Sequence, residues 1–395
     1  MNYKKIIYLI LLLLFFSFCK TQTKTISKIK VGAERTEKYL PLLKNKNVAI
    51  VANQTSLVNS THIVDSLISL GVNMKKIFSP EHGFRGTADA GEYLDNYTDN
   101  KTGLPVISLY GKNKKPQKKD LEDIDILIFD IQDVGVRFYT YISSLHYIME
   151  ACAENNKKLI ILDRPNPNGF YVDGPVLDNA FSSFVGKHPV PLVYGMTIAE
   201  YAQMINGENW LNNKTKCEII NILCENYTHE DLYTLPAKPS PNLPNMKAVY
   251  LYPSLGLFEG TVISIGRGTD FPFQVFGHPV FKNVSFEFKP HSIPGASKYP
   301  KFKDELCYGY DLRNNKGYYK FKTGKINLQY LIDSYDKLAK NEEFFNSFFN
   351  NLAGNDILKE QIKSGLSEKE IRKSWQHDLD KFKKIRKKYL LYKDF

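Results

Sequence analysis

Residues 126–133 read Ile-Leu-Ile-Phe-Asp-Ile-Gln-Asp, an apolar run that ends in a polar cluster. Because four consecutive apolar residues leave no polar face, this run predicts a strand that is buried on both sides. Similar runs stand at residues 48–51, 76–78, 106–109 and 159–162, with helical patterns at 63–70 and 141–154. Apolar strands that alternate with helices predict an α/β fold, with a parallel sheet covered by helices on both faces.

The sequence changes character at residues 239–244, Pro-Ser-Pro-Asn-Leu-Pro, which cannot form a helix. Turn residues and aromatic runs dominate beyond this connector, and a capping box of Ser367 and Glu370 predicts a final helix. We therefore predict a second, smaller mixed α/β domain. The predicted division is a signal peptide at 1–19, a linker at 20–45, the sheet domain at 46–245 and the C-terminal domain at 246–395.

The N-terminus has the pattern of an export signal. Lys4 and Lys5 precede an apolar run at residues 6–18, shorter than the roughly 20 residues that a membrane-spanning helix needs. Cys19 stands where the modified cysteine of a lipoprotein would stand, although the preceding Ser17-Phe18 fits that signal poorly. Lipid anchoring at Cys19 and ordinary cleavage nearby both stay open. Both predict an exported protein, either periplasmic or anchored to a membrane.

The composition indicates a globular protein. Hydrophobic residues make up 43% of the chain and aromatic residues 13%. The net charge of +11 suits an anionic surrounding such as a cell wall, but the lysines are spread widely, which favours a merely solvated surface. The cysteines beyond Cys19 have no zinc-like spacing. We expect buried free thiols, with a Cys217–Cys224 bridge as an open alternative; these cysteines are Cys152, Cys217, Cys224 and Cys307.

Four of the predicted strands end in a polar cluster. The clusters are residues 53–55, 79–83, 130–133 and 163–168. Ligands of open α/β sheets bind in the crevice outside the carboxyl ends of the strands, so we expect these clusters to face one pocket. A single polar strand end would fit a helix cap equally well, but four together favour a site.

Several carboxyl groups in one pocket suit the cleavage of a glycosidic bond, which commonly uses one carboxyl group as acid and another as base or nucleophile. Glu81 is our first candidate for the acid, because it follows a buried strand and stands beside His82, where partial burial favours a protonated carboxyl group. A loop salt bridge to Arg85 is the structural alternative for Glu81. Glu92, on the following glycine-rich loop, is the second candidate for the acid, and Asp133 is a candidate for the other carboxyl group.

Further polar residues of the same stretches are candidates for substrate contact. Asp130 and Asp163 are candidates for the second carboxyl group or for binding sugar hydroxyls, and an ion pair with its neighbour Arg164 is the structural alternative for Asp163. Arg137, Arg164 and Arg267 are candidates for holding a substrate carboxylate, since guanidinium groups bind carboxylates in bidentate fashion. Tyr139 suits either stacking on a sugar or packing in the interior. The predicted contact residues are Asn53, His82, Arg85, Asp130, Gln132, Arg137, Tyr139, Asp163, Arg164, Asn166, Asn168, Glu259 and Arg267.

Other reaction classes lack their signatures. The sequence has no G-x-G-x-x-G after its first predicted strand, no Walker loop, no G-x-S-x-G and no H-E-x-x-H. The missing glycine loop argues against nucleotide binding. Ser79 and His82 are close enough in sequence to suggest an esterase or amidase, but no nucleophile elbow supports that pair.

Three long strings of the sequence resemble a known family. They are Ser-Pro-Glu-His-Gly-Phe-Arg-Gly at 79–86, Asp-Ile-Gln-Asp-Val-Gly-Val-Arg-Phe-Tyr-Thr-Tyr at 130–141 and Asp-Arg-Pro-Asn-Pro-Asn-Gly at 163–169. Residues 174–176, 239–244 and 256–261 extend the match. Together these strings resemble a bacterial family that was long catalogued as a domain of unknown function and is now typified by exo-β-N-acetylmuramidases. The similarity covers nearly everything from residue 45 to the end.

This resemblance implies a Rossmann-like catalytic domain, a smaller C-terminal domain and an active-site cleft between them. It also implies release of N-acetylmuramic acid from the non-reducing ends of muropeptides or disaccharides derived from peptidoglycan. It implies no metal, no organic cofactor and no nucleic-acid partner. Glu81 lies in the most distinctive string, and the lactyl carboxylate of the sugar would give an arginine its purpose. Phe170 departs from the family pattern, in which a second glycine follows Gly169. A non-catalytic lipoprotein that binds muropeptides is the alternative.

Overall fold

The computed structural model describes residues 28–86, 95–314, 324–338 and 343–395. The predicted signal peptide, Cys19 and Glu92 lie outside these residues. The strands are β1 (Val48–Ala52), β2 (Leu57–Val58), β3 (Thr61–His62), β4 (Met74–Ser79), β5 (Tyr97–Thr98), β6 (Pro105–Ser108), β7 (Ile126–Asp130), β8 (Lys158–Leu162), β9 (Ile219–Ile222), β10 (Val275–His278), β11 (Phe286–Phe288) and β12 (Cys307–Asp311).

The α-helices cover both faces of the sheet and build much of the C-terminal part. They are α1 (Thr36–Leu43), α2 (Ile63–Ser69), α3 (Lys118–Leu121), α4 (Tyr141–Glu154), α5 (Ile198–Gly207), α6 (Met246–Leu255), α7 (Gln329–Leu338), α8 (Phe349–Ala353), α9 (Ile357–Lys363) and α10 (Glu368–Arg386). Short 3₁₀ helices lie at Gly32–Glu34, Asn179–Phe181, Asn212–Lys214 and Gly256–Gly260.

A seven-stranded sheet in the order β5-β6-β4-β1-β7-β8-β9 forms the centre of the first domain. Its strands pair in parallel, except for the antiparallel edge strand β5. Counted along the chain, the six parallel strands have the order 3-2-1-4-5-6, which is that of a Rossmann-type sheet. This order reverses between β1 and β7, so a crevice opens at the carboxyl ends of these two strands. The predicted parallel sheet is confirmed.

The central strands β1 and β7 are buried along their whole length, as their apolar runs predicted. Val51 and Phe129 belong to the core that includes α4 and α5, whereas Ile50 and Ile128 belong to the core on the opposite face, with α1 and α2. The first of these cores continues into the C-terminal part, where it includes Phe349. One hydrophobic core therefore serves both the sheet domain and the segment beyond the proline-rich connector.

The C-terminal part is a smaller mixed α/β domain, as predicted. Its antiparallel sheet has the order β10-β12-β11. Helix α10 begins with the predicted capping box, in which the Ser367 hydroxyl accepts from the Glu370 amide and the Glu370 carboxylate accepts from the Ser367 amide. The predicted apolar face of this helix is buried, at Ile371, Trp375, Leu379 and Phe382.

No helix among the described residues is long and apolar enough to cross a bilayer. Their four cysteines, Cys152, Cys217, Cys224 and Cys307, are buried free thiols, as predicted.

Candidate active site

Glu81 lies just beyond the carboxyl end of β4, where the chain turns sharply. The next two residues, His82 and Gly83, have φ angles of 70° and 78°. A non-glycine residue at positive φ is uncommon and often marks a functional turn. His82 is buried at this turn, whereas Glu81 keeps part of its surface exposed. The backbone therefore buries the predicted contact residue and leaves the predicted acid accessible.

Two hydroxyl groups hold the Glu81 carboxylate. Thr140 donates from Oγ1 to Oε2 of Glu81 at 3.2 Å, and the hydroxyl group of Tyr110 hydrogen-bonds to the same carboxylate. Burial, and then the charge of Glu81, raise the pKa of Tyr110, so this hydroxyl stays protonated and donates. Thr140 is the N-cap of α4, but its side chain does not cap the helix. Its hydroxyl is thus available to Glu81.

Sequence reasoning missed both of these partners. Tyr110 lies two residues beyond the end of β6, so the rule that polar strand ends meet in one crevice would have found it. Thr140 stands inside one of the strings that carry the family resemblance, immediately before the helix predicted at 141–154, where a threonine suggests a helix cap instead of a site residue.

Asp133 is almost enclosed, with 5% of its surface exposed. Its Oδ2 accepts hydrogen bonds from the Tyr194 hydroxyl and, at 2.7 Å, from the Gly135 amide. Its Oδ1 is buried and has no hydrogen-bond partner among the described residues. Burial raises the pKa of Asp133 to about 6, while the hydrogen bonds from Tyr194 and Gly135 act in the opposite direction. This carboxyl group therefore changes its protonation state near pH 6 instead of near 3.8.

A buried tyrosine, Tyr252, shows which predicted residues come together. Burial raises its pKa first, and the charges of Glu259, Glu81 and Asp133 raise it further, whereas Arg267 lowers it. All four charged groups therefore lie within electrostatic reach of one hydroxyl group. Glu81 and Asp133 come from the sheet domain, and Glu259 and Arg267 follow the proline-rich connector. The structure thus gathers these predicted residues, from both domains, around one point.

Tyr139 packs in the interior instead of presenting its ring to a ligand. Its ring makes edge contacts with Tyr141 and Tyr252, at centroid distances of 4.8 and 5.9 Å. Its hydroxyl donates to the carbonyl oxygen of Pro239 at 2.6 Å, which ties it to the proline-rich connector. Of the two predicted roles of Tyr139, the structure favours packing.

Arg164 forms a buried bidentate ion pair with Asp130, and not with its sequence neighbour Asp163. Nε of Arg164 lies 2.6 Å from Oδ1 of Asp130, and a terminal nitrogen lies 2.9 Å from Oδ2. The same terminal nitrogen also donates to the carbonyl oxygen of Leu57 at 2.9 Å. Arg164 and Asp130 therefore neutralise each other beneath the crevice, and the predicted pairing of Asp163 with Arg164 is wrong.

Asp163 anchors two distant segments. It accepts from the Ala199 amide in the first turn of α5 at 3.0 Å and from the hydroxyl of Tyr392 at 2.6 Å. Burial raises the pKa of Asp163 to about 6, although these hydrogen bonds lower it. Its two oxygens are thus engaged in linking the end of β8 to α5 and to the C-terminus.

The amide side chains of the polar clusters brace the loops around the crevice. Asn53 donates to the Tyr141 hydroxyl at 2.8 Å. Gln132 donates to the carbonyl oxygens of Asp133 and Pro165, at 2.8 and 2.7 Å. The remaining pair, Asn166 and Asn168, donates to the carbonyl oxygens of Met196, Val134 and Val249.

Arg137 binds backbone carbonyl oxygens, so the prediction that it holds a substrate carboxylate is wrong. Its side chain is fully buried, and its terminal nitrogens donate to four backbone carbonyl oxygens at 2.7–3.0 Å, those of Pro175, Val190, Leu352 and Ala353. Burial lowers the pKa of Arg137 to about 9. With its terminal donors used and its surface enclosed, Arg137 is not placed to hold a substrate carboxylate. Its position in a distinctive string reflects a link between the two domains.

The other predicted cations are paired as well. Arg85 binds Asp99 through Nε and a terminal nitrogen, at 3.1 and 2.9 Å, so it is not the salt-bridge partner that we considered for Glu81. Arg267 binds Oε1 of Glu259 at 2.9 and 2.6 Å, and this pair remains partly exposed. In the described ranges, no three His, Cys, Asp or Glu side chains cluster as metal ligands.

Two family models match the chain. The N-terminal model of exo-β-N-acetylmuramidase NamZ matches residues 48–247, and the C-terminal model matches residues 250–392. The chain belongs to the NamZ family of exo-β-N-acetylmuramidases. The resemblance that the three strings indicated is therefore confirmed, and NamZ membership makes the chain a glycosidase.

Individual relatives agree with this NamZ assignment. The chain is 38% identical over 390 residues to the peptidoglycan β-N-acetylmuramidase NamZ of Bacillus subtilis, and the match covers 94% of both chains. A crystal structure of a DUF1343 family protein from Bacteroides fragilis superposes with a TM-score of 0.87 at 50% identity, covering 93% of this chain and all of that one. A second DUF1343 structure from the same organism has a TM-score of 0.77 at 29% identity, covering 92% and 99%.

Proposed function

We propose that this protein releases N-acetylmuramic acid from the non-reducing ends of peptidoglycan fragments, with Glu81 as the general acid. The observation that carries this proposal is the geometry of Glu81. Its carboxylate is partly exposed at the end of β4, is held by Thr140 and Tyr110, and lies within electrostatic reach of Tyr252 together with Asp133. A carboxyl group that protonates a leaving oxygen must be both accessible and held in place.

The second carboxyl group of the reaction must also touch the sugar or the attacking water. Both oxygens of Asp133 are enclosed, and Oδ2 is already occupied by Tyr194 and Gly135. We therefore assign Asp133 to positioning, and Glu92 stays the second candidate for the acid. The reaction in this proposal uses no cofactor, because proton transfer and attack by water are sufficient for glycoside hydrolysis.

We also propose that the protein works outside the cytoplasm, because its substrate is cell-wall material and the sequence begins with an export pattern. Cys19 is the proposed lipid attachment site, with ordinary cleavage as the alternative. Metabolic labelling of cells with a radioactive or clickable fatty acid tests this point. Label on the wild type and its loss in Cys19→Ser would support the anchor, whereas an unlabelled, soluble exported protein would support cleavage.

The reaction is tested with a chromogenic β-glycoside of N-acetylmuramic acid. We expect the wild type to release the dye and Glu81→Gln to be slower by about 10²-fold or more, since general acid catalysis contributes on that scale. Glu218→Gln, a change of the same kind at an exposed residue, is the matched control and should keep full activity. Equal activity of Glu81→Gln and wild type would remove Glu81 from the mechanism.

The preference for N-acetylmuramic acid at the non-reducing end is tested with two disaccharides. One has N-acetylmuramic acid at its non-reducing end, and the other has N-acetylglucosamine there. We expect sugar release from the first and none from the second. A folded wild type that released nothing from either disaccharide or from the chromogenic glycoside would support the alternative of a binding lipoprotein.

A further inference from the structure

The proposed substrate carries a lactyl carboxylate, and the arginines that the sequence suggested for it are all engaged. Arg137 donates to four carbonyl oxygens, Arg164 pairs with Asp130, and Arg267 pairs with Glu259. A cation that is already neutralised by a buried or partly buried carboxylate gains little from a second one. The recognition of the lactyl carboxylate therefore needs another cation.

An aromatic surface begins at the residue that holds Glu81. The ring of Tyr110, whose hydroxyl binds the Glu81 carboxylate, lies 6.3 Å from the ring of Phe184. Phe184 in turn stacks on Tyr147 of α4, at 6.3 Å with an interplanar angle of 24°. All three side chains are partly exposed. We call this surface the aromatic shelf; it consists of Tyr110, Phe184 and Tyr147.

Two lysines lie over the shelf. Nζ of Lys114 is 4.7 Å from the ring centroid of Phe184, and Nζ of Lys187 is 5.2 Å from that of Tyr147. Within the part of the chain that the structure describes, neither ammonium group has a carboxylate within ion-pair distance. The neighbouring Lys115 differs, because Glu150 and Glu154 each bind it at 2.9 Å. Lys114 and Lys187 thus keep their charge available while the rings restrain them.

The charge of Lys187 is also felt inside the protein. It lowers the pKa of the buried histidines His146 and His188, in each case after the larger effect of burial. Lys187 therefore lies close to this buried histidine pair, at the edge of the shelf.

We propose that the aromatic shelf with Lys114 and Lys187 is the part of the site that recognises the lactyl carboxylate of N-acetylmuramic acid. The partly exposed ring edges border the sugar, and the two ammonium groups that lie over the rings bind its carboxylate. This arrangement distinguishes N-acetylmuramic acid from N-acetylglucosamine, which lacks the lactyl group. The inference rests on the proposed function, because it assumes that the terminal sugar is bound beside Glu81.

The experiment compares two sugars in a variant that turns them over only slowly. The binding of the p-nitrophenyl β-glycosides of N-acetylmuramic acid and N-acetylglucosamine to Glu81→Gln is measured by calorimetry, with Lys114→Gln and Lys187→Gln added singly and together. We expect the double change to weaken binding of the N-acetylmuramic acid glycoside at least tenfold and to leave the other glycoside unchanged. Lys381→Gln, at an exposed position of α10, is the matched control.

Steady-state kinetics of the lysine variants, made in the protein that retains Glu81, give a second readout. The lysine variants should raise KM for the N-acetylmuramic acid glycoside with little change in kcat, because the carboxylate contact is present in both ground state and transition state. Equal weakening for both sugars, or no weakening for either, would overturn the proposal.

The failure of this proposal can be told apart from the failure of the proposed function. Selective binding that depends on the two lysines, without any sugar release by the wild type, would retain the shelf and reject the hydrolase. Sugar release at unchanged KM in the lysine variants would retain the hydrolase and reject the shelf.

Discussion

The hydroxyl group of Tyr194 donates a hydrogen bond to Oδ2 of Asp133, a carboxylate whose Oδ1 is buried without a hydrogen-bond partner among the described residues. This contact lowers a pKa that burial raises, and the balance leaves it at about 6. The folded protein therefore holds a proton on Asp133 more tightly than the unfolded chain does, for which the ordinary value is 3.8. Stability from this group is complete below pH 3.8 and is lost as the pH rises through about 6.

Asp133→Asn should remove this pH dependence. Because a change in pKa from 3.8 to about 6 corresponds to about 3 kcal/mol, the variant should gain up to that amount relative to wild type between pH 4 and pH 7. Urea unfolding at several pH values measures the difference, with Asp378→Asn on the exposed side of α10 as control. A difference that does not change with pH would contradict the predicted titration.

Removing the two hydroxyl groups that hold Glu81 should impair the reaction without unfolding the protein. We expect Tyr110→Phe and Thr140→Val each to lower kcat by about 10- to 150-fold, since each loses one hydrogen bond of about 1.5–3 kcal/mol to a charged group. The rate of dye release from the chromogenic glycoside measures kcat. Tyr97→Phe, on the exposed edge strand, should leave kcat unchanged. An unchanged kcat in Tyr110→Phe and Thr140→Val would mean that the two hydroxyl groups do not act through Glu81.

Replacing Arg137 should affect stability first. In Arg137→Met, four buried carbonyl oxygens lose their donors, and we expect the free energy of unfolding to fall by about 3 kcal/mol or more. Thermal and urea unfolding measure this loss, and KM measured on the remaining folded protein serves as the comparison. A variant of normal stability with a strongly raised KM would restore the substrate-binding role that the sequence suggested.

A histidine pair should make the fold sensitive to acid. His188 contacts the Tyr201 hydroxyl and His146, each at 3.0 Å, and all three side chains are buried. Burial lowers the pKa of His146 from 6.5 to about 4 and that of His188 as well. The unfolded chain thus binds protons that the folded protein excludes, and stability is lost as the pH falls from about 6.5 towards 4.

This loss has the opposite sign from the effect of Asp133 and is separated from it by mutation. His146→Gln should flatten the acid side of the stability curve, by up to about 3 kcal/mol for this group. Urea unfolding between pH 7 and pH 4 measures the curve, with exposed His377→Gln as control. A wild-type curve and a His146→Gln curve that stayed parallel would contradict the prediction.

The centre of the sheet was predictable from sequence because β1, β7 and β8 consist mainly of apolar residues, a pattern that predicts strands buried on both faces. The site was predictable as a place, since polar residues gather at the carboxyl ends of those strands. The hydrogen-bond and ion-pair partners of the site residues were not predictable. Arg164 stands beside Asp163 in sequence yet binds Asp130, 34 residues earlier. Successive side chains of an extended segment point in opposite directions, whereas the ends of the paired strands β7 and β8 lie side by side.

The same limit explains the missed residues. Tyr252 comes from α6, beyond the proline-rich connector, so no local pattern relates it to Glu81. Lys114, Tyr147 and Phe184 lie in three separate segments, and only the folded chain brings them together.

The buried guanidinium group of Arg137 has a consequence for how this family can evolve. It joins a loop of the sheet domain to carbonyl oxygens of α8 more than 200 positions away, across the boundary at which the two family models divide. A gene fusion that exchanged either half for an unrelated module would leave that buried charge without some of its hydrogen-bond acceptors. The two halves of this chain therefore depend on each other, so a change of substrate preference is easier to reach in the loops around the crevice than by exchange of a domain.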